Sequence, residues 1–127
     1  MENYTLEILA RRLAVAKLDP DAGLPTWANG QLVSVTRTAT ELSIVCDEEN
    51  IPPETTAERG WVCLRIAGPL SFDQVGVIAS LANPLKEAGI PLFAISTYDT
   101  DYLLVKNDGL DRTIEALTIA GHTIIGR

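Results

Sequence analysis

Histidine and cysteine are scarce: the chain of 127 residues has one His and two Cys. That supply argues against metal ligation by His and Cys clusters. It also leaves catalysis without convergent groups, since no pattern joins a Ser or Cys to a base. Basic residues are in deficit as well, 10 Lys and Arg against 17 Asp and Glu, for a formal net charge of −7. Nucleic acid is excluded as a partner on that balance, because its affinity comes largely from Lys and Arg displacing counterions. Met1 to Leu13 is interrupted by Glu2, Glu7, Arg11 and Arg12. Neither a signal peptide nor a membrane span is therefore expected, and the chain is placed in the cytoplasm with no membrane partner. In that compartment the glycosylation-type triplet Asn3-Tyr4-Thr5 carries no meaning. Cys46 and Cys63 form no CxxC pair and each lies in an apolar run, so both are expected to be buried free thiols. No cofactor is implied.

What remains is an ordinary globular composition, 46% hydrophobic and 21% charged, long enough to bury a core without staples. From Trp61 onward the apolar period changes in a regular order. Trp61 to Ala67 alternates as a half-buried strand. Gly68-Pro69-Leu70 breaks the pattern, and Ser71-Phe72-Asp73-Gln74 fits a capping box, which predicts a helix starting there. Val75, Ile78, Ala79, Ala82 and Leu85 give that helix its apolar stripe, and Gly89 its αL end. Pro84 removes the donor for the Ser80 carbonyl, so a kink or a tightened turn is expected. Pro91 to Thr97 and Asp101 to Lys106 read as two strands of a hairpin around Tyr98-Asp99-Thr100. A second helix comes next, capped by Asp108, with Leu110, Ile114, Leu117 and Ala120 on its apolar face and Gly121 at its end. His122 to Ile125 is a last strand. The order βαββαβ predicts an α+β, ferredoxin-like fold, an antiparallel sheet with both helices on one face.

Shifting the chain against itself by sixty positions lays Leu32 to Val45 on Leu92 to Val105 without a gap, with Leu, Thr and Val identical at 32/92, 40/100 and 45/105. Such similarity suggests a duplicated supersecondary unit; hairpins that merely share composition are the alternative. If the copy is real, its first strand lies within Leu9 to Leu18, and Asp19 to Ala28 replaces the first helix by a loop with one helical turn near Pro25 to Ala28. The charged, proline-paired stretch from Asp47 to Gly60 reads as a surface linker. The expected organisation is a shortened unit over 1–59 and a full unit over 60–127, with a soft boundary near Pro53 to Gly60.

Acylphosphatase is the natural enzyme on this fold class, and its loop after the first strand supplies an Arg to phosphate. Here that loop is Gly68-Pro69-Leu70-Ser71 and offers no anion-binding side chain. A small zwitterion remains compatible with the chain. The free backbone donors at the start of the first long helix attract a carboxylate, and Asp99 or Asp101 can hold an ammonium group. A purely polar hairpin tip is the other reading of the two aspartates. His122 is read as a capping or solvated side chain rather than a general base.

The stretch from Ile95 to Lys106 closely resembles the hairpin of small tandem ACT-domain proteins of bacteria and of cytosolic arginine sensors of animals. Glu41 to Cys46, Leu18-Asp19-Pro20-Asp21 with Pro25-Thr26-Trp27-Ala28, and Gly60 to Leu64 resemble the same family, so the resemblance covers nearly the whole chain. It implies two ACT-like units packed side by side, with an effector amino acid bound at an ACT–ACT interface, where the loop after one unit's first strand meets a strand edge of another. By position, that loop contributes Gly68, Pro69, Leu70 and Ser71, and the hairpin Thr97, Tyr98, Thr100 and Asp101. The function implied is regulatory and non-enzymatic, in a homo-oligomer, a dimer being favoured; the alternative is a ligand-free oligomerisation or protein-interaction module.

Overall fold

A computed structural model describes residues 2–126; residues 1 and 127, the outer ends of the two expected units, lie outside the described residues. The chain divides into two compact units, one holding Arg11–Trp61 and the other the residues up to Ala10 and from Val62 onward. Strand β5 (Ala57–Ile66) gives its first half to the former and its second half to the latter.

In the second of these, the helical unit, the expected order is present. After β5 come α1 (Val77–Glu87), β6 (Phe93–Ser96), β7 (Asp101–Lys106), α2 (Leu110–Ile119) and β8 (Thr123–Ile125). β6 and β7 pair antiparallel, Ser96 opposite Asp101, and β7 pairs β5. One strand was not expected: β1 (Thr5–Ile8) pairs antiparallel with β5, Leu6 opposite Ile66, and parallel with β8. The ferredoxin-like sheet is thus widened from within, in the order β6-β7-β5-β1-β8. Both helices lie over one face: Val77, Leu81 and Leu85 of α1 and Leu117 of α2 cluster with Leu6, Leu64, Ile66, Leu103 and Val105. The fold is mixed α+β with a mostly antiparallel sheet.

The helix ends follow the glycines. Gly89 (φ +72) and Gly121 (φ +102) take the left-handed conformation that an L side chain adopts only with strain. Ile90 N–H then reaches back to the Leu85 carbonyl at 2.9 Å, and His122 N–H to that of Leu117 at 3.0 Å. Asp108 does not cap α2: a single 3-10 turn (Asn107–Gly109) leads into the helix, and no side-chain cap bond forms.

Pro84 stays inside α1, and the Ser80 carbonyl that it leaves without a helical donor faces His122 Nε2 at 3.3 Å. Nδ1 of the same ring accepts the Tyr4 N–H at 3.1 Å, and the ring stacks on Tyr4. His122 is 3% exposed, so it is not solvated; its backbone N–H caps the end of α2, as the capping reading expected, while its ring makes these further contacts. It is a buried cross-link that resolves the proline defect.

The all-strand unit, Arg11–Trp61, holds β2 (Leu13–Leu18), β3 (Ser34–Arg37) and β4 (Leu42–Asp47). β4 lies between β2 and β3, antiparallel to both. Asp19 to Ala28 is a loop as expected, with one turn bond from Ala28 N–H to the Pro25 carbonyl. Ala22, Trp27 and Ala28 of this loop pack over Ala14, Ala16, Leu42, Ile44, Cys46 and Ile51, so the loop covers the apolar face that helices cover in the other unit.

The β3–β4 and β6–β7 hairpins correspond in register, but at a shift of 59 positions, not sixty. Arg37 pairs Leu42 as Ser96 pairs Asp101, each partner 59 positions from its counterpart. At that shift Ile44, Val45 and Cys46 fall on Leu103, Leu104 and Val105, all buried. Side chains alternate along a strand, so a slip of one residue would have sent every one of them to the wrong face.

Candidate functional site

In the helical unit the loop after β5 and the tip of the β6–β7 hairpin close on each other. Leu70 N–H donates to the Asp99 carbonyl at 2.7 Å, and the Thr100 hydroxyl to the Ile66 carbonyl at 2.7 Å. Gly68 sits where these segments touch: a Cβ there would meet Leu70 N at 3.1 Å and the Asp99 oxygen at 3.3 Å. The Gly68–Pro69 peptide is cis. Inside the turn, Thr97 N–H donates to the Thr100 carbonyl at 2.8 Å and the Thr97 hydroxyl to the same oxygen at 3.0 Å.

Between loop and hairpin lies a cleft of about 340 Å³. Of the residues singled out from the sequence, Leu70, Ser71, Thr97, Tyr98, Thr100 and Asp101 line it; Gly68 and Pro69 do not, and serve the bend behind it. The Thr100 side chain is 3% exposed and its hydroxyl is engaged with β5, so it anchors the hairpin. Asp101 is half-buried on the wall.

The helix does not begin at Ser71. The capping-box bonds form, Ser71 N–H to Gln74 Oε1 at 2.9 Å and Asp73 N–H to Ser71 Oγ at 3.1 Å, but they close a free-standing turn. Gly76 (φ +79) then interrupts the chain, and α1 starts at Val77. The donor end of the helix is therefore at Val77, Ile78 and Ala79, and these residues line the cleft. The first N–H groups of a helix have no acceptor within it and carry the positive end of its dipole. The feature expected at Ser71 is present, six residues further along the chain. Phe72, Gln74 and Ser96 also line the cleft and were not singled out. Phe72 meets Tyr98 edge to face, ring centroids 5.0 Å apart, although the two are 74% and 81% exposed; Val75, close to Phe72 in the sequence, is 95% exposed. Such apolar side chains beside a polar tip were the available signal.

The thiols lie elsewhere. Burial pushes Cys63 from its ordinary 9.0 up to about 12. Burial raises Cys46 too, against a backbone hydrogen bond at Asn29 that lowers it. Both are free and inert as nucleophiles. Among the described residues no group of three or more His, Cys, Asp or Glu could hold a metal ion, and no helix is long and apolar enough to cross a membrane.

An ACT-domain family model matches residues 56–118, the stretch that carries the loop, α1 and the hairpin. This chain belongs to the ACT-domain family. A second model, of an N-terminal domain, matches residues 12–54. The human protein named cytosolic arginine sensor for mTORC1 subunit 1 is 40% identical over 84 residues, 60% of this chain and 26% of its own length. The chain thus spans about a quarter of the length of the curated relatives it matches. A crystal structure of an Agrobacterium tumefaciens protein is 38% identical, with a TM-score of 0.94 over 100% of this chain and 96% of that one. The regulatory subunit of aspartate kinase from Thermus flavus is 10% identical, with a TM-score of 0.62 over 94% and 97% of the two chains. That last likeness bears on the ACT fold alone.

Proposed function

We propose that this ACT-domain chain is a regulatory protein that binds a free amino acid in the cleft between the loop after β5 and the β6–β7 hairpin. The observation that carries this reading is the placement of the α1 donor end and Asp101 on the same small cleft. An α-carboxylate then rests on the Val77–Ala79 amides, where the helix dipole favours an anion. The α-ammonium lies against Asp101, with Asp99 beside it. Leu70 and Ile78 supply apolar wall for the side chain. The name of the arginine-sensing relatives supports an amino acid as the ligand class and a cytoplasmic setting.

The chain is a sensor rather than an enzyme on this reading, and it passes its signal to a second copy. The exposed Phe72 and Tyr98 on the cleft, with the exposed Val75 close to Phe72 in the sequence, support an interface there, which would bury apolar surface otherwise left in water. The same side chains favour the second reading, a pairing module without a ligand. A shortened first unit followed by an ACT domain is supported by the two family matches, over 12–54 and 56–118; the expected bounds of 1–59 and 60–127 differ from the compact units in that the segment up to Ala10 belongs with the helical unit.

A thermal-shift screen with each of the twenty amino acids separates the readings. A ligand at a hundred times its dissociation constant stabilises the fold by about 2.7 kcal/mol. Asp101→Ala abolishes the shift of the active amino acid while melting within a degree or so of the parent, because a half-buried hairpin-end carboxylate contributes little to the fold. A flat screen with a concentration-dependent melting temperature selects the pairing module.

A further inference from the structure

The turns of the two hairpins are built alike. Thr38 N–H donates to the Glu41 carbonyl at 2.9 Å as Thr97 N–H does to that of Thr100 at 2.8 Å. The Thr38 and Thr97 hydroxyls donate to the same two oxygens at 3.4 and 3.0 Å. The residue before each threonine ends its strand. In the helical unit that residue is Ser96, a small side chain on the wall of the open cleft. In the all-strand unit it is Arg37, and its guanidinium donates to the carbonyls of Pro20 and, at 2.8 Å, of Ala22 in the loop after β2. The gap between loop and hairpin, open in one unit, is spanned in the other by a cation of the chain itself.

We infer that the all-strand unit carries a second subsite, selective for a guanidinium group, formed by the Pro20 and Ala22 carbonyls beside the β3–β4 turn and kept filled by Arg37. Two carbonyl oxygens set two residues apart fit the planar fork of a guanidinium, whose donors diverge in fixed directions; an ammonium lacks that fork. Asp19 and Asp21 flank Pro20 in the sequence and add negative charge around the loop. In the parent chain the gap beside the β6–β7 turn is thus open, and the corresponding gap beside the β3–β4 turn holds the chain's own Arg37. This inference stands apart from the amino-acid reading of the open cleft. Arg37 is exposed, so removing it empties the subsite without opening the apolar cluster of the unit.

The test is the full-length Arg37→Ser variant, melted with and without low millimolar ethylguanidinium, with ethylammonium as the control of equal charge. The variant melts about 3–5 °C below the parent. Ethylguanidinium restores about half of that loss and leaves the parent unchanged, and ethylammonium restores none. A variant that melts with the parent and ignores ethylguanidinium overturns the inference, as does equal rescue by ethylammonium, which would reduce the contact to charge alone. If Arg37→Ser does not fold, Arg37→Lys takes its place. A point charge cannot span both carbonyls, so ethylguanidinium must raise its melting temperature too; no rise is the contrary result.

Discussion

The two hairpins of this chain share a turn and a burial pattern, yet one borders an open cleft and the other a sealed loop. The difference lies in the segment after the first strand of each unit. After β5 there is room for an eleven-residue helix whose donor end is left facing the gap. After β2 a short loop, Asp19 to Ala28, must cover the same apolar face, and Arg37 ties it down. A helix brings both cover and an anion-binding end. A loop brings only cover, and its carbonyls need a donor from elsewhere.

The strongest way to sharpen this comparison is to cut equivalent core positions. Leu103 and Ile44 correspond at the 59-residue shift and are both 0% exposed. Leu103→Ala is expected to cost about 3–5 kcal/mol in urea unfolding, because the helices over it cannot collapse into the void. Ile44→Ala is expected at about 2–3 kcal/mol, since the Trp27 loop above it can settle. Equal losses would mean that helix and loop cover their sheets with the same rigidity.

Next in size is the cross-link that only the helical unit has. His122→Ala leaves the Tyr4 N–H and the Ser80 carbonyl without partners, at a cost of about 2–3 kcal/mol. Adding Pro84→Ala returns a helical donor to Ser80, so the double variant recovers about 1 kcal/mol in a double-mutant cycle. Strict additivity would contradict the pairing of His122 with the proline defect. Gly76→Ala comes third, at about 1 kcal/mol, from forcing a side chain to φ +79 at the entry to α1. A neutral result would mean that the helix can extend back to Ser71.

The thiols give the smallest effect near neutrality. Cys63 stays protonated in the fold up to about 12, whereas an unfolded chain ionises from 9.0. Its contribution to stability is therefore complete below pH 9 and is lost as the pH rises from 9 to about 12. Cys63→Ala flattens that alkaline slope.

The βαββαβ order was legible because its signals are local: alternation at Trp61 to Ala67, the hairpin after Pro91, and the glycines that end both helices. Three features needed the whole chain. β1 is four residues whose pairing partners lie far along the sequence, and no local period announces that. The Ser71–Gln74 bonds satisfy a turn as well as a helix, so the motif alone could not tell that Gly76 would delay α1. The shift of sixty followed matched identities such as Val45 with Val105, while burial and turn bonds align at 59. For the site, the loop and the hairpin tip were legible from their residues. The helix donors and Phe72 were not, because their place depends on where α1 begins.

The central claim is that the gap beside the β6–β7 turn is open to a free amino acid and the corresponding gap beside the β3–β4 turn is filled from within. A backbone-amide NMR titration of the full chain with a mixture of the twenty amino acids tests it most directly. Saturable shifts are expected, confined to residues 70–79 and 96–101, with the amides of 19–28 and 37–41 unmoved. Shifts centred on the Pro20–Ala22 loop, or none anywhere, would contradict it.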